Sequence, residues 1–189
     1  LDIVQALTHA DQLAAAGGFA GELAEHTPPA HPNRAPLVDM EAESLIDLGF
    51  TNRGLACYRR LVADFEARCQ AEPQRADYQR DLSVSYNKLG DLMTALGNGD
   101  DAQRYFQQAL NIATNLARAE PQRADYQRDL VISLMRMADV DAQRTETYLE
   151  QGLSILEALK RSGRQVAQRD EMMAWLEGRL AEVRAGRGA

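Results

Sequence analysis

The sequence AEPQRADYQRDL occupies residues 71–82, and the same twelve letters return 48 positions later, at residues 119–130. Each copy carries a proline, Pro73 or Pro121, and an aspartate four residues after it. Proline disfavours helix at the residue before it, and a carboxylate stabilises the positive end of a helix. Each copy is therefore predicted to end one helix and begin the next, and an identical joint between successive units is what a helical repeat protein requires.

Between the two copies, apolar residues recur every three or four positions, which is the spacing of one helix face. The stretch GNGDD at 97–101 interrupts that pattern with two glycines, as a helix stop and a turn do. One unit is therefore predicted to be a hairpin of helices 75–97 and 99–119, packed at Gly90 and Ala102. Strand-like alternation is scarce. The predicted fold is all-α, with antiparallel helix hairpins stacked as a short solenoid.

The remaining segments are assigned around this central unit. A divergent repeat is predicted upstream and a shortened one downstream, where the glycine turn is missing and Thr147 with Glu150 forms a candidate capping box. The segments are residues 1–25, an N-terminal helix or helices of a preceding or capping unit, broken at Gly17 and Gly18; 26–36, a Pro-rich loop; 37–70, the divergent repeat; 75–120, the best-matching repeat; 123–161, the shortened repeat; and 165–184, a C-terminal capping helix.

Composition narrows the classes of partner. The chain has 189 residues and a formal net charge of −7, which argues against nucleic acid and anionic membranes as partners.

The first residue of the chain is Leu, so we expect a piece of a longer or processed protein. Cys57 and Cys69 are predicted to share one helix at a separation of about 18 Å, beyond disulfide reach, so a cytoplasmic location is expected.

No set of residues predicts catalysis or cofactor binding. The three histidines, His9, His26 and His31, lack the further converging ligands of a metal site. The stretch GNGDD has neither the lysine nor the preceding strand of a phosphate-binding loop. No serine occupies a nucleophile elbow. The sequence therefore predicts a protein that is not an enzyme and needs no metal or cofactor.

Residues 83–109 resemble a tetratricopeptide repeat. The positions that carry the resemblance are Tyr86, Leu89, Gly90, Met93, Gly97, Ala102, Phe106 and Ala109. Upstream, their equivalents are Val38, Glu41, Ala42, Leu45, Gly49, Gly54, Tyr58 and Leu61; downstream, Leu134, Met137 and Ala138 match before the pattern fails at Asp141. The 48-residue period exceeds the usual 34, as in long repeats of multi-repeat bacterial proteins.

The resemblance implies a short right-handed solenoid that serves as a non-catalytic scaffold. Its first helices line a concave groove that binds another protein or a peptide. The implied groove residues are Asp39, Glu43, Val84, Asn87, Lys88, Asp91, Thr94, Ile132, Met135, Arg136 and Asp139. Four of them are carboxylates, which favours a basic or amphipathic partner. Asn87 matches the type of residue with which some relatives hold a terminal carboxylate, but Asp91 and Asp139 oppose that role.

Two alternatives stay open beside the binding scaffold. The chain could be a regulatory or sensor segment of a larger signalling protein with an NTPase or protease domain elsewhere. It could also be a structural module that forms a homo-oligomer through exposed end faces. The flanking sequence would decide the first alternative, and sedimentation velocity the second.

Overall fold

A computed structural model describes residues 2–27 and 34–187. Within them the chain is all-helical without strands, and consecutive helices pack on one another inside each of two compact units, Leu1–Pro73 and Gln74–Ala189. The predicted all-α fold of packed helices is thus confirmed. The helices of this described part are α1 (Asp2–His26), α2 (Arg34–Asp47), α3 (Thr51–Ala71), α4 (Ala76–Ala95), α5 (Gly99–Ala119), α6 (Ala124–Val140), α7 (Thr145–Arg161) and α8 (Arg169–Arg187).

In the first unit, α1 packs on α2, and α2 on α3. The prediction that α1 breaks at Gly17 and Gly18 is wrong, because the helix runs through both. A Cβ at Gly17 would lie 2.6 Å from the Ser44 Cβ, so the missing side chain lets α2 approach closely. A glycine inside a helix costs about 1 kcal/mol against alanine, and here that cost is offset by packing.

The ends of the predicted Pro-rich loop are helical. His26 closes α1, and residues 34–36 begin α2. Pro36 stands in the first turn of that helix, where its missing N–H costs nothing. Residues 28–33, and with them His31, lie outside the described residues.

Three helices end in the same glycine motif. Gly49, Gly97 and Gly163 have positive φ angles of 84°, 76° and 69°. After α4, for example, the N–H of Asn98 donates to the Met93 carbonyl at 2.9 Å, and the N–H of Gly97 to Thr94 at 3.0 Å. This is the Schellman arrangement, which satisfies the last carbonyls of a helix and favours glycine. The glycines at 49 and 97 are 48 residues apart, as the repeat predicts.

The second unit contains α4 to α8 in consecutive contact. The two helices of the α4–α5 hairpin pack closely where small residues lie. A Cβ on Gly90 would lie 2.4 Å from Cε1 of the buried Phe106, and Ala102 is fully buried. The Ser83 hydroxyl also donates to the Ala109 carbonyl across the hairpin at 3.1 Å. The predicted hairpin is present, with Phe106 as the side chain that covers Gly90.

The repeated twelve residues adopt the same local structure twice. Arg75 and Arg123 precede α4 and α6 with extended backbone, and each guanidinium makes two hydrogen bonds to the aspartate two residues later. Each guanidinium also lies over the tyrosine three residues later, at 4.4 Å for Tyr78 and 4.2 Å for Tyr126. Tyr126 is buried against Leu116 and Ala117 at the end of α5. The sequence repeat is therefore a structural repeat of the helix start.

This joint gives the second unit a pH dependence. The hydrogen bonds from Arg123, with Arg80 nearby, lower the pKa of Asp125 to about 2. The pKa of an aspartate in an unfolded chain is about 3.9. The stabilisation that the lowered pKa of Asp125 contributes is therefore complete above that pH and is lost as the pH falls towards about 2. We expect Asp125→Asn to be less stable than wild type at pH 7, and the difference to shrink as the pH approaches 2. Urea unfolding at several pH values measures it. A difference independent of pH would contradict the role of Asp125.

The turn between α6 and α7 is built without glycine. The Thr145 hydroxyl donates to the carbonyls of Ala138 and Asp141 at 3.1 and 3.0 Å, and the Tyr148 hydroxyl to the Asp141 carboxylate at 3.3 Å. The helix therefore restarts at Thr145, and the capping box expected at Thr147 is wrong. Thr145 and Tyr148 are both buried, so packing against α6 sets where α7 begins.

The last helix covers α7. Met172, Leu176 and Leu180 form its buried face, and Leu176 lies against Gly152 of α7. Arg184 pairs with Glu146 and Glu150 on α7 at 2.8 and 2.6 Å. The helix begins at Arg169, four residues later than expected at 165, and Trp175 stays partly exposed.

Candidate functional site

The first helices of two successive hairpins, α4 and α6, lie side by side in the second unit. Polar pairs join them along their length: Arg80 to Asp129 at 2.5 Å, Asn87 Nδ2 to the Ser133 hydroxyl at 3.1 Å, and Arg136 to Asp91. Since the pairs occur near the start, middle and end of α4, they fix the register of the two helices. We call the exposed side of this pair the α4–α6 face. Its predicted residues are Val84, Asn87, Lys88, Asp91, Thr94, Ile132, Met135, Arg136 and Asp139.

The charge of Asp91 on this face is already paired. The Arg136 guanidinium approaches both carboxylate oxygens, with Nε 2.6 Å from Oδ1 and an Nη2 hydrogen bond of 3.1 Å to Oδ2. Both side chains remain partly exposed, at 37% for Arg136 and 45% for Asp91. Arg136 was predicted to lie in the groove beside its carboxylates. The structure brings it into direct contact with one of them.

The charged neighbours of Asp139 differ from those of Asp91. Partial burial raises its pKa, and the neighbouring Asp91 adds to that, while Arg179 and Arg136 oppose it. Arg179 belongs to α8, so the last helix contributes charge to the end of this face. Sequence reasoning missed Arg179 because α8 was treated only as a cap. The feature that could have identified Arg179 is the position of α8. This helix follows the third hairpin, where the first helix of a further hairpin would stand.

Apolar side chains are accessible between these polar groups. Val84 is 41% exposed on α4, and Ile132 and Met135 are half-buried on α6. Asn87 is half-buried, and its Nδ2 donates to the hydroxyl of Ser133, another residue that sequence reasoning missed. The Thr94 hydroxyl donates to the Gly90 carbonyl of its own helix at 3.0 Å, and Lys88 is half-buried. The face therefore combines apolar area with polar side chains that are already held in place.

The two upstream candidates belong to the first unit. Asp39 of α2 accepts a hydrogen bond from the hydroxyl of Tyr58 on α3 at 3.1 Å, and it is half-buried. Glu43 is exposed one turn further along α2. Asp39 thus helps to join α2 to α3, a role that the groove assignment did not include.

Cys57 is poorly suited to act as a nucleophile. Cys57 is buried, and its pKa is raised by burial and by the neighbouring carboxylate of Glu41. A thiol with a raised pKa holds little thiolate at neutral pH and is a poor nucleophile. Cys69 is half-buried, and the two cysteines form no disulfide.

Neither a metal site nor a membrane span occurs in the part of the chain that the structure describes. Its His, Cys, Asp and Glu side chains form no group of three that could hold a metal ion. The described His26 ring engages the Glu22 carbonyl of its own helix through Nδ1 at 2.8 Å. None of the helices within residues 2–27 and 34–187 has the length and apolar character to cross a membrane.

Comparison with protein-family models finds no family that matches this chain, and comparison with curated proteins finds no similar sequence.

Proposed function

We propose that the chain is a non-catalytic binding module of the tetratricopeptide-repeat type, and that the α4–α6 face holds a segment of another protein. The observation that carries this proposal is the accessible apolar area of Val84, Ile132 and Met135 on two helices locked by polar pairs. An apolar surface on a rigid support binds without a large ordering cost. The small residues at Gly90 and Ala102 and the turn glycines at 49 and 97 support the repeat type.

The proposed partner is an amphipathic peptide with basic residues. Its apolar side chains would cover Val84 and Met135, which supply the area that can be removed from water. Its basic groups would approach Asp139 and compete with Arg136 for Asp91. An exposed charge pair contributes only about 0.2–1 kcal/mol, so charge selects the sign of the partner and speeds association rather than providing the affinity. A cytoplasmic location fits a module whose two cysteines form no disulfide.

The proposal predicts different salt dependence for two variants. Met135→Ala should weaken binding about fivefold at every ionic strength, since partial burial of a methionine contributes on the order of 1 kcal/mol. The double variant Asp91→Asn/Asp139→Asn should select fewer basic peptides and show a smaller salt slope. A library of short peptides, screened by fluorescence polarisation at two salt concentrations, measures both effects.

Leu96→Ala provides the matched control. Leu96 is 40% exposed, like Val84, but it follows the end of α4 in the turn. Its replacement should leave peptide binding unchanged. The proposal is wrong if the wild type prefers acidic peptides, or if the double variant selects the same peptides with the same salt slope.

A further inference from the structure

The second helices of the downstream hairpins enclose a groove that the sequence did not indicate. It measures about 760 Å³, with walls from α5 and α7 and a floor from α6. Leu130 and Leu134 of α6 form the floor, and Leu110 and Ile155 line the walls. Leu130 and Ile155 are half-buried, so part of the apolar surface remains accessible. The groove shares α6 with the α4–α6 face but none of the residues assigned to that face.

The groove is long enough for a short peptide. Its lining spans positions 110–118 on α5 and 144–155 from the residue before α7 along that helix. At 1.5 Å per residue these stretches are about 12 and 16 Å long. An extended chain advances about 3.3 Å per residue, so about four or five residues fit along the groove.

An arginine stands at each end of the groove. Helices α5 and α7 each form a hairpin with α6 and so run in the same direction. Arg144, at the start of α7, therefore lies at one end, and Arg118, in the last turn of α5, at the other. Both side chains are exposed, and neither forms an ion pair with a carboxylate among the described residues. The Arg144 guanidinium rests over the Tyr148 ring at 4.8 Å, which limits its freedom.

The walls also carry groups that can bind a peptide backbone. Asn111 and Asn115 on α5 face the groove together with Gln151 on α7, and the Oδ1 of Asn111 accepts a hydrogen bond from Gln107 at 2.9 Å. A side-chain amide both donates and accepts hydrogen bonds, so it can pair with a peptide N–H or C=O. Two unpaired arginines, an apolar floor and amide walls match a ligand with carboxylates at its ends and apolar side chains between them.

We propose that this groove is a second binding site, which holds a short acidic segment of a partner protein. Apolar side chains of that segment lie on Leu130 and Leu134, and its carboxylates meet Arg118 and Arg144. A peptide fits better than a polynucleotide, because the floor is aliphatic and the chain carries a net charge of −7. The site goes beyond the proposed function, since its walls are α5 and α7 and it selects the opposite charge.

The test uses fluorescein-labelled octapeptides with two glutamates at each end and leucine or isoleucine at the centre. We expect measurable binding, with a Kd below about 1 mM, and weaker binding of twin peptides in which glutamine or lysine replaces glutamate. Two exposed charge pairs lower the Kd about two- to thirty-fold. The double variant Arg118→Gln/Arg144→Gln should therefore bind the acidic peptide more weakly by that factor. The control is Arg161→Gln, which replaces an exposed arginine of α7 beyond the groove and should leave the Kd unchanged.

A third variant keeps the test independent of Arg144, which also contacts Tyr148. Ser154→Trp places a bulky ring in the groove from an exposed position and should abolish binding of the acidic peptide. Met135→Ala should leave that binding intact, which separates this site from the α4–α6 face. The proposal is overturned if no acidic octapeptide binds, or if the glutamine twins bind as tightly. It is equally overturned if a folded Ser154→Trp protein binds unchanged, or if a single-stranded oligonucleotide outcompetes the peptide.

Discussion

Replacing Gly90 with leucine should lower the free energy of unfolding by about 1–3 kcal/mol through overpacking. A Cβ at this position would meet three atoms of the Phe106 ring, at 2.4, 2.6 and 2.9 Å. Phe106 is 1% exposed and belongs to the core between α4 and α5, so its ring cannot move aside without disturbing its neighbours. Urea or thermal unfolding followed by circular dichroism measures the loss. An unchanged unfolding transition would show that α4 and α5 do not pack at Gly90.

Alanine substitutions give the matched control. Gly178 is also a glycine inside a helix, but a Cβ there would meet nothing within 4 Å. Gly178→Ala should therefore stabilise the protein by about 0.5–1 kcal/mol, the usual gain in helix propensity. Gly90→Ala receives the same gain but meets the ring, so it should destabilise.

A double variant identifies Phe106 as the obstacle. Phe106→Ala alone should cost about 3–5 kcal/mol, as is usual when a buried phenylalanine is truncated. In that background the leucine at position 90 can occupy the vacated space. The combined cost should therefore be smaller than the sum of the two single costs, which a double-mutant cycle measures.

Replacing Gly54 with leucine should disrupt the hairpin of α2 and α3 in the first unit, at a cost of about 1–3 kcal/mol or somewhat more. A Cβ at Gly54 would lie 2.5 Å from Cγ1 of Ile46 and 3.0 Å from the carbonyl oxygen of Ala42. The isoleucine can change rotamer, but the carbonyl is part of α2 and cannot. The two helices must therefore separate. Hydrogen exchange should show loss of protection in the amides of α2 and α3.

Gly18 supplies the control in the same unit. It lies within α1, and a Cβ there would meet nothing within 4 Å. Gly18→Ala should be neutral or stabilising, because it removes backbone freedom from the unfolded chain. Equal stability of Gly54→Leu and Gly18→Ala would contradict the close approach of α2 and α3.

Glycine shows where sequence reasoning succeeds and where it fails. The glycines at 49 and 97 were predictable turn residues, because helix termination by a positive φ is a local property and the repeat spacing placed them. Gly17 and Gly18 were wrongly expected to break a helix. Local propensity favours a break there, but the contact of Gly17 with Ser44 uses its lack of a side chain. A contact with a residue far along the chain leaves no local signal.

The candidate sites also contain some residues that the sequence placed correctly and some contacts that it could not show. Helical spacing and the family resemblance placed Val84, Met135 and Asp91 on first helices. Neither could show that Arg136 reaches Asp91, because this pair joins residues 45 positions apart. The groove between α5 and α7 was not predicted, because the resemblance pointed only to the first helices. Its lining residues have no distinctive motif and become a site only when three helices assemble.

The repeated twelve residues separate what the sequence determined from what the tertiary structure decided. The bidentate contacts from Arg75 to Asp77 and from Arg123 to Asp125 are the same, because each forms within a few residues of identical chain. The next arginine of each copy has different partners. Arg80 bonds to Asp129 on α6, whereas Arg128 bonds to the carbonyl of Ala167 and the side chain of Gln168 before α8. The sequence determined the joint, since its atoms are neighbours in the chain. Only the packing of the next element decided what the longer side chain could reach.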